Sequence, residues 1–296
     1  MSKPKYHHGF TLVELLVVIG IIALLISILI PALSRARQQS QSIKCLANLR
    51  QLNMGLQSYM RDNKGHMFPY YNASTTYWFV IILPYFNHQA GRLDIYDNTS
   101  DSVRKEIAKL QLRETVYFCP MATEPLSGVS IAGQFASGTA FNCWGPDRQV
   151  QEGMMGSYCL NNWLLRIGID NANGDDDNAL DQSRTGTSWD RTQATAHYWN
   201  LPGSGKRSTS IPVVSDGIWA DAWPHEGDHP PANLMTGFRF SGGTENMQRV
   251  CFKRHMGKHI NVVFLDGHAA TVNLQDLWTL DWHKDWVAPN PLPTIN

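Results

Sequence analysis

Hydrophobic positions fall along this chain in three regimes. Residues 15–34 form an uncharged, almost wholly apolar run, long enough as a helix to cross the roughly 30 Å hydrocarbon core of a bilayer. Beyond it, Ile43, Leu46, Leu49, Leu52, Leu56 and Tyr59 recur at spacings of three and four, which is one apolar stripe of an amphipathic helix. Arg37, Gln41, Lys44, Gln51 and Arg61 fill much of the remaining surface. The spacing predicts one helix over residues 10–62, ending near Asp62-Asn63-Lys64-Gly65. Its first half suits a membrane or a filament core, and its second half suits packing on a globular head. Pro31 lacks a backbone donor and crowds the preceding turn, so it predicts a kink or local unwinding; the alternative is a helix stop at the membrane surface.

The third regime, residues 63–296, has short apolar runs between turn residues and predicts a loop-rich head containing β-structure. Residues 260–265 read as a strand, Asp266-Gly267 as a hairpin turn and residues 268–274 as the return strand. Residues 212–217 repeat the strand-then-turn pattern. Residues 77–86 are apolar enough for a strand or a buried segment, residues 102–112 have helical spacing, and residues 115–118 read as a strand ended by Cys119-Pro120. Together these predict an α+β fold, an antiparallel sheet with long insertions leaning on the N-terminal helix. No solenoid-type repeat is present.

Glu14, at the edge of the apolar run, needs a physical explanation. A carboxylate at the centre of a membrane helix costs about 2.5 kcal/mol or more, and somewhat less near the interface, so it calls for a partner. Lys3, Lys5, His7 and His8 precede the run, and Gly9, the small residue suited to cleavage, also lies before it. Cutting at Gly9 would retain the span, unlike the cleavage of a secretory signal. The stretch Gly9-Phe10-Thr11-Leu12-Val13-Glu14 and the apolar residues after it resemble the processing and methylation site of type IV pilins and type II secretion pseudopilins. That resemblance covers residues 9–31. It implies a leader over residues 1–9, cleavage between Gly9 and Phe10 by a prepilin peptidase, and methylation of the new Phe10 amine. It also implies that Glu14 meets the Phe10 amine of a neighbouring subunit during filament assembly, and that the helix melts or extends at Pro31. The partners so implied are the peptidase, other pilin-like subunits and membrane lipid. The alternative is a plain signal anchor with Glu14 among the lipid headgroups.

Two further stretches carry a second resemblance. Cys45-Leu46-Ala47-Asn48-Leu49-Arg50-Gln51-Leu52 and Gly156-Ser157-Tyr158-Cys159-Leu160-Asn161-Asn162-Trp163 are similar to segments of a large pilin-like set abundant in planctomycetes. The tail of that set carries a His, nine residues, then Asp-Gly. Residues 254–268 here contain His255, Asp266 and Gly267, with the interval one residue longer than the pattern. Read without the family, His255 and Asp266 are loop residues of a β-hairpin.

Length and charge narrow the classes. The chain has 296 residues, 43% of them hydrophobic, enough for one sizeable core beyond the span. Lys plus Arg balances Asp plus Glu at 25 each, so the overall charge gives no reason to expect a nucleic-acid partner. The basic N-terminus favours a cytoplasmic start and an extracytoplasmic head on a bacterial inner-membrane anchor, with Arg35 and Arg37 opposing that bias.

Candidate chemistry in the head is thin. Asp170, Asp175, Asp176 and Asp177, with Asp181 nearby, are oxygen-rich enough for calcium, although they do not fit the EF-hand register; the alternative is a solvated loop. His225-Glu226-Gly227-Asp228-His229, preceded by Asp216 and Asp221, invites a metal-hydrolase reading, but it lacks the helical His-Glu-x-x-His register and reads as a loop. Trp189, Trp199, Trp219, Trp223, Trp278, Trp282 and Trp286 are suited to a sugar platform or, more simply, to core packing. Five cysteines, Cys45, Cys119, Cys143, Cys159 and Cys251, leave at least one thiol unpaired. Disulfides among the last four are compatible with export, Cys45 is the expected free thiol, and the lack of a Cys-x-x-Cys pair argues against zinc. The sequence therefore predicts a subunit that assembles and has no catalytic residues, with an anchored module binding polysaccharide or metal as the alternative and an anchored metal-dependent hydrolase as a third class.

Overall fold

A computed structural model describes residues 12–68, 77–92, 106–107, 109–110, 114–122, 138–145, 155–166, 198–199, 207–236, 246–255 and 257–295. The chain divides into two compact units, Met1–Ser40 and Gln41–Asn296. Helix α1, Leu12–Asp62, contains Pro31 and does not stop there. In the first unit every large apolar side chain of the helix is exposed, from Val18 at 45% to Leu12 at 76%. Such a surface is unfavourable in water and natural in lipid or between packed helices.

In the second unit the helix buries Cys45, Asn48, Leu49, Leu52, Asn53, Gly55, Leu56 and Tyr59. This face is rotated from the expected one. Ile43 points to solvent and Leu46 is half-buried, while two asparagines and a cysteine face inward. The asparagines turn inward because carbonyls of the head need donors. Asn48 Nδ2 donates to Phe118 O at 2.8 Å, and Asn53 Nδ2 donates to Phe264 O at 3.0 Å.

The head is built on a five-stranded sheet of order β3-β1-β2-β4-β5. Its strands are β1 Tyr158–Asn161, β2 Pro212–Asp216, β3 Asp221–Ala222, β4 His259–Phe264 and β5 Ala269–Asn273. The β4–β5 hairpin and β2 lie where the apolar runs predicted them. The sheet is mixed, however, and not antiparallel throughout. β1 pairs antiparallel with β2 but parallel with β3, in the register Leu160↔Asp221. After β2 the chain turns at Gly217 and re-enters on the far edge of β1, so local sequence order does not become strand adjacency. β1 and β2 are buried along their whole length, whereas the edge strand β5 alternates between inward and outward positions, as expected of central and edge strands.

Of the two apolar segments, residues 77–86, expected as a strand or a buried segment, are buried as helical turns, and residues 115–118, expected as a strand, hold a helical turn. Trp78–Ile81 is a short α-helix followed by the 3₁₀ turn Leu83–Tyr85, and Thr115–Tyr117 is a 3₁₀ turn. A short apolar run buried on all sides fits either conformation, so periodicity alone does not separate them. The carbonyls of Thr115 and Phe118 accept from Asn48 Nδ2 on α1, and a side chain thus supplies what a neighbouring strand would have. Glu106, Ile107, Lys109 and Leu110 are helical, in agreement with the spacing of residues 102–112.

Tryptophans hold the loops together. Trp78, Trp144, Trp163, Trp199, Trp223, Trp278, Trp282 and Trp286 are buried in the core, and Trp219 is half-buried. Most of the buried indoles donate their N–H to a backbone carbonyl. Trp78 reaches Ala220 O at 2.7 Å, Trp163 reaches Pro224 O at 2.8 Å and Trp278 reaches Asp228 O at 2.9 Å. Each indole thereby buries a large apolar area and satisfies a carbonyl that irregular backbone leaves unpaired. This is core packing, not an exposed sugar platform; Trp189 lies outside the described residues. All five cysteines are buried.

Candidate functional site

Gly9 and Phe10 lie outside the described residues. Glu14 lies in the first described turn of α1, just before the exposed apolar run. Asp170, Asp175, Asp176, Asp177 and Asp181 also lie outside the described residues.

The tail residues take separate partners. Gly267, at φ +96°, makes the turn between β4 and β5, a backbone conformation that favours glycine. Asp266 accepts from the backbone N–H of His268 at 3.1 Å and meets its Nδ1 at 2.6 Å, near the surface. His255 instead lies in the core, with Nε2 3.1 Å from Asp216 Oδ2. His255 and Asp266 therefore sit in different settings, the first in a buried cluster and the second in a turn.

That cluster is the densest chemistry among the described residues. Cys45 from α1, Cys119 from the loop after the 3₁₀ turn, Asp216 from the end of β2 and His255 from the loop before β4 bring four donor atoms within 4.8 Å of one another. Cys45 Sγ lies 3.2 Å from Asp216 Oδ1, and Cys119 Sγ lies 3.8 Å from His255 Nε2. Asp216 Oδ2 also accepts from the backbone N–H of Asn261 at 2.8 Å. Tyr158 donates its hydroxyl to Cys45 Sγ at 3.4 Å. Arg254, fully buried, stands 3.5 Å from Asp216 Oδ1 and donates to the carbonyls of Ser157, Gly217, Thr139 and Ala140.

The electrostatics follow from this arrangement. Burial pushes the Asp216 carboxyl up, but the His255 charge and hydrogen bond, with Arg254 and the Asn261 N–H, outweigh it and hold it below its usual range. Burial pushes His255 down, and the Asp216 carboxylate overcomes that and raises it. Cys45 is driven up, first by burial and then by its neighbours Cys119 and Asp216. Cys119 is lowered against its own burial, by hydrogen bonds from Cys45 and His255. No spacing in the sequence marks this cluster, because its members come from four distant stretches. The Cys-x-x-Cys criterion finds ligand pairs within one loop and is blind to pairs joined by tertiary folding.

The His225–His229 segment divides differently from the hydrolase reading. His225, Glu226 and His283 bring their donor atoms within 4.8 Å of one another, whereas His229 is exposed and outside that group. Asp228 accepts at Oδ2 from the backbone N–H groups of His225, at 3.0 Å, and Met247, at 2.7 Å, so it closes a loop. Asp221 pairs with Arg249 at 3.1 Å. The His225–His229 pair that a metal-hydrolase reading requires is therefore not assembled, in agreement with the loop reading.

A long apolar N-terminal helix and a mixed sheet in the head make this an α+β protein of pilin-like arrangement. Residues 4–30 match the family model described as the prokaryotic N-terminal methylation motif, which is the mark of prepilin-type, peptidase-processed proteins. No curated protein and no solved structure matches the chain. Motif and apolar helix together fit an anchor in the inner membrane.

Proposed function

We propose that this chain is a pilin-like subunit that a prepilin peptidase cuts between Gly9 and Phe10 and that assembles through α1 into a type IV pilus-like or type II secretion filament. The observation that carries this reading is the continuity of the methylation motif, residues 4–30, with a half-helix whose apolar side chains are all exposed. Lipid covers that surface before assembly, and the helices of neighbouring subunits cover it afterwards. Glu14 then pairs with the methylated Phe10 amine of the next subunit, which relieves a poorly solvated carboxylate. The N-terminus faces the cytoplasm and the head lies outside it. The biochemical act is assembly, with the head as the surface offered to partners.

The test is the N-terminal residue and mass of the protein recovered from its native membrane. A chain beginning at methylated Phe10 supports the reading. A chain beginning at Met1 or Ser2 removes its main support and leaves an anchored binding module as the better account.

A further inference from the structure

We propose that Cys45, Cys119, Asp216 and His255 form a structural zinc site that fastens the second half of α1 to the sheet of the head. Four observations converge. The donors are two sulfurs, an imidazole nitrogen and a carboxylate oxygen, a set that suits zinc and is foreign to calcium or magnesium. Their spacing is short enough to share one ion, all four donor atoms lying within 4.8 Å of one another. With zinc bonds of about 2.3 Å to sulfur and about 2.0–2.1 Å to nitrogen and oxygen, tetrahedral edges are about 3.6 Å for sulfur to nitrogen or oxygen and about 3.4 Å for nitrogen to oxygen. Here Cys45 Sγ lies 3.2 Å from Asp216 Oδ1, Cys119 Sγ lies 3.8 Å from His255 Nε2, and His255 Nε2 lies 3.1 Å from the other carboxylate oxygen, Asp216 Oδ2.

Charge also balances. Two thiolates and a carboxylate carry three negative charges, and a divalent ion with the buried Arg254 guanidinium carries three positive ones. Binding displaces the thiol protons of Cys45 and Cys119 and the proton on Nε2 of His255, all of which leave to solvent. No electron moves. The surroundings already hold two of the ligands: Tyr158 donates to the Cys45 sulfur, while Asn261 N–H and Arg254 orient the Asp216 carboxylate, supporting contacts of the kind metal ligands use.

Finally, the site is closed. Cys45, Cys119 and Asp216 are fully buried and His255 is 5% exposed. Four protein donors leave no position for water or substrate, which marks a structural site and not a catalytic one. A Cys45–Cys119 disulfide is the competing chemistry, but it would use two of the four groups and give no reason for Asp216 and His255 to converge on the same point. The proposal stands independently of filament assembly, because it concerns the head of a single chain.

The test is metal analysis of the full chain purified in detergent without chelators, alongside mass mapping of its cysteines under non-reducing conditions. About one zinc per chain is expected, with Cys45 and Cys119 both recovered as thiols. Exchange with cobalt should produce a thiolate-to-cobalt charge-transfer band and the intense visible bands of a tetrahedral ion. Cys119→Ser should lose both the zinc and that band, whereas Cys251→Ser, a buried thiol outside the cluster, should keep them. Two results on the unaltered chain overturn the proposal, whatever the variants do: no zinc retained after incubation with zinc chloride, or a Cys45–Cys119 disulfide in protein taken from its own compartment.

Discussion

Arg254 shows how much of the head depends on single side chains. Its guanidinium is buried against Asp216 and donates to four carbonyls from three separate stretches. Replacement by methionine keeps much of the volume but strands a buried carboxylate and several acceptors. Arg254→Met should therefore destabilise the head by about 3–5 kcal/mol, read as a lowered urea midpoint. Glu226 gives a pH prediction with a definite sign. Burial pushes its carboxyl up, but hydrogen bonds from His283 and from backbone N–H groups, including that of Val287, hold it at about 2. Its folded-state pKa thus lies below the unfolded value of about 4.5, so its stabilisation is complete above that value and disappears as pH falls toward about 2. The carboxylate is partly in water, which limits the effect to about 1 kcal/mol. Urea midpoints measured across this window should fall less steeply with acid for Glu226→Gln than for the unaltered chain.

At the level of elements, turns and close approaches decide where strands lie. Gly267, at φ +96°, joins β4 to β5, and a side chain there is strained whatever space surrounds it. Gly267→Val should cost about 1–2 kcal/mol, again visible in the urea midpoint. Gly217 is constrained by contact instead of by dihedral angle. A Cβ there would lie 2.4 Å from Cys159 Cβ and 2.7 Å from Cys159 N. Since β1 backbone cannot step aside cheaply, Gly217→Ala should cost about 1–3 kcal/mol and loosen the crossing from β2 to β3. For α1, Glu14→Ala should leave membrane insertion intact and abolish co-assembly, measured as loss of sheared filament or of cross-linked subunits. Normal assembly by this variant would contradict the role given to Glu14.

On the scale of the whole molecule, the first unit is an apolar helix segment with an exposed surface and the second is a packed head. Alkaline extraction of membranes should leave the full chain in the pellet. Each aspartate placed at the centre of the span costs about 2.5–3.5 kcal/mol of insertion. Ile19→Asp combined with Ile22→Asp should accordingly shift the protein to the soluble fraction, and retention in the pellet would show that something other than the span holds it there.

What the sequence determined by itself is whatever depends on local order and periodicity: the motif of residues 4–30, the apolar run, the single helix through Pro31, the β4–β5 hairpin and the strand at residues 212–216. These features follow from hydrophobic spacing, turn residues and length, all of which neighbours along the chain set. Tertiary structure alone decided the rest. It turned Asn48, Asn53 and Cys45 inward where periodicity favoured Ile43, because the head presents the carbonyls of Phe118 and Phe264 and the carboxylate of Asp216 to them. It made helical turns of residues 78–85 and 115–117, whose N–H groups bond within the turns while the carbonyls of Phe79, Thr115 and Phe118 accept from Tyr117 and Asn48. It placed β3 beside β1, and it gathered Cys45, Cys119, Asp216 and His255 from four stretches to one point. Such a meeting leaves no spacing signal, since the distance between two side chains in a folded core bears no fixed relation to the number of residues separating them along the chain.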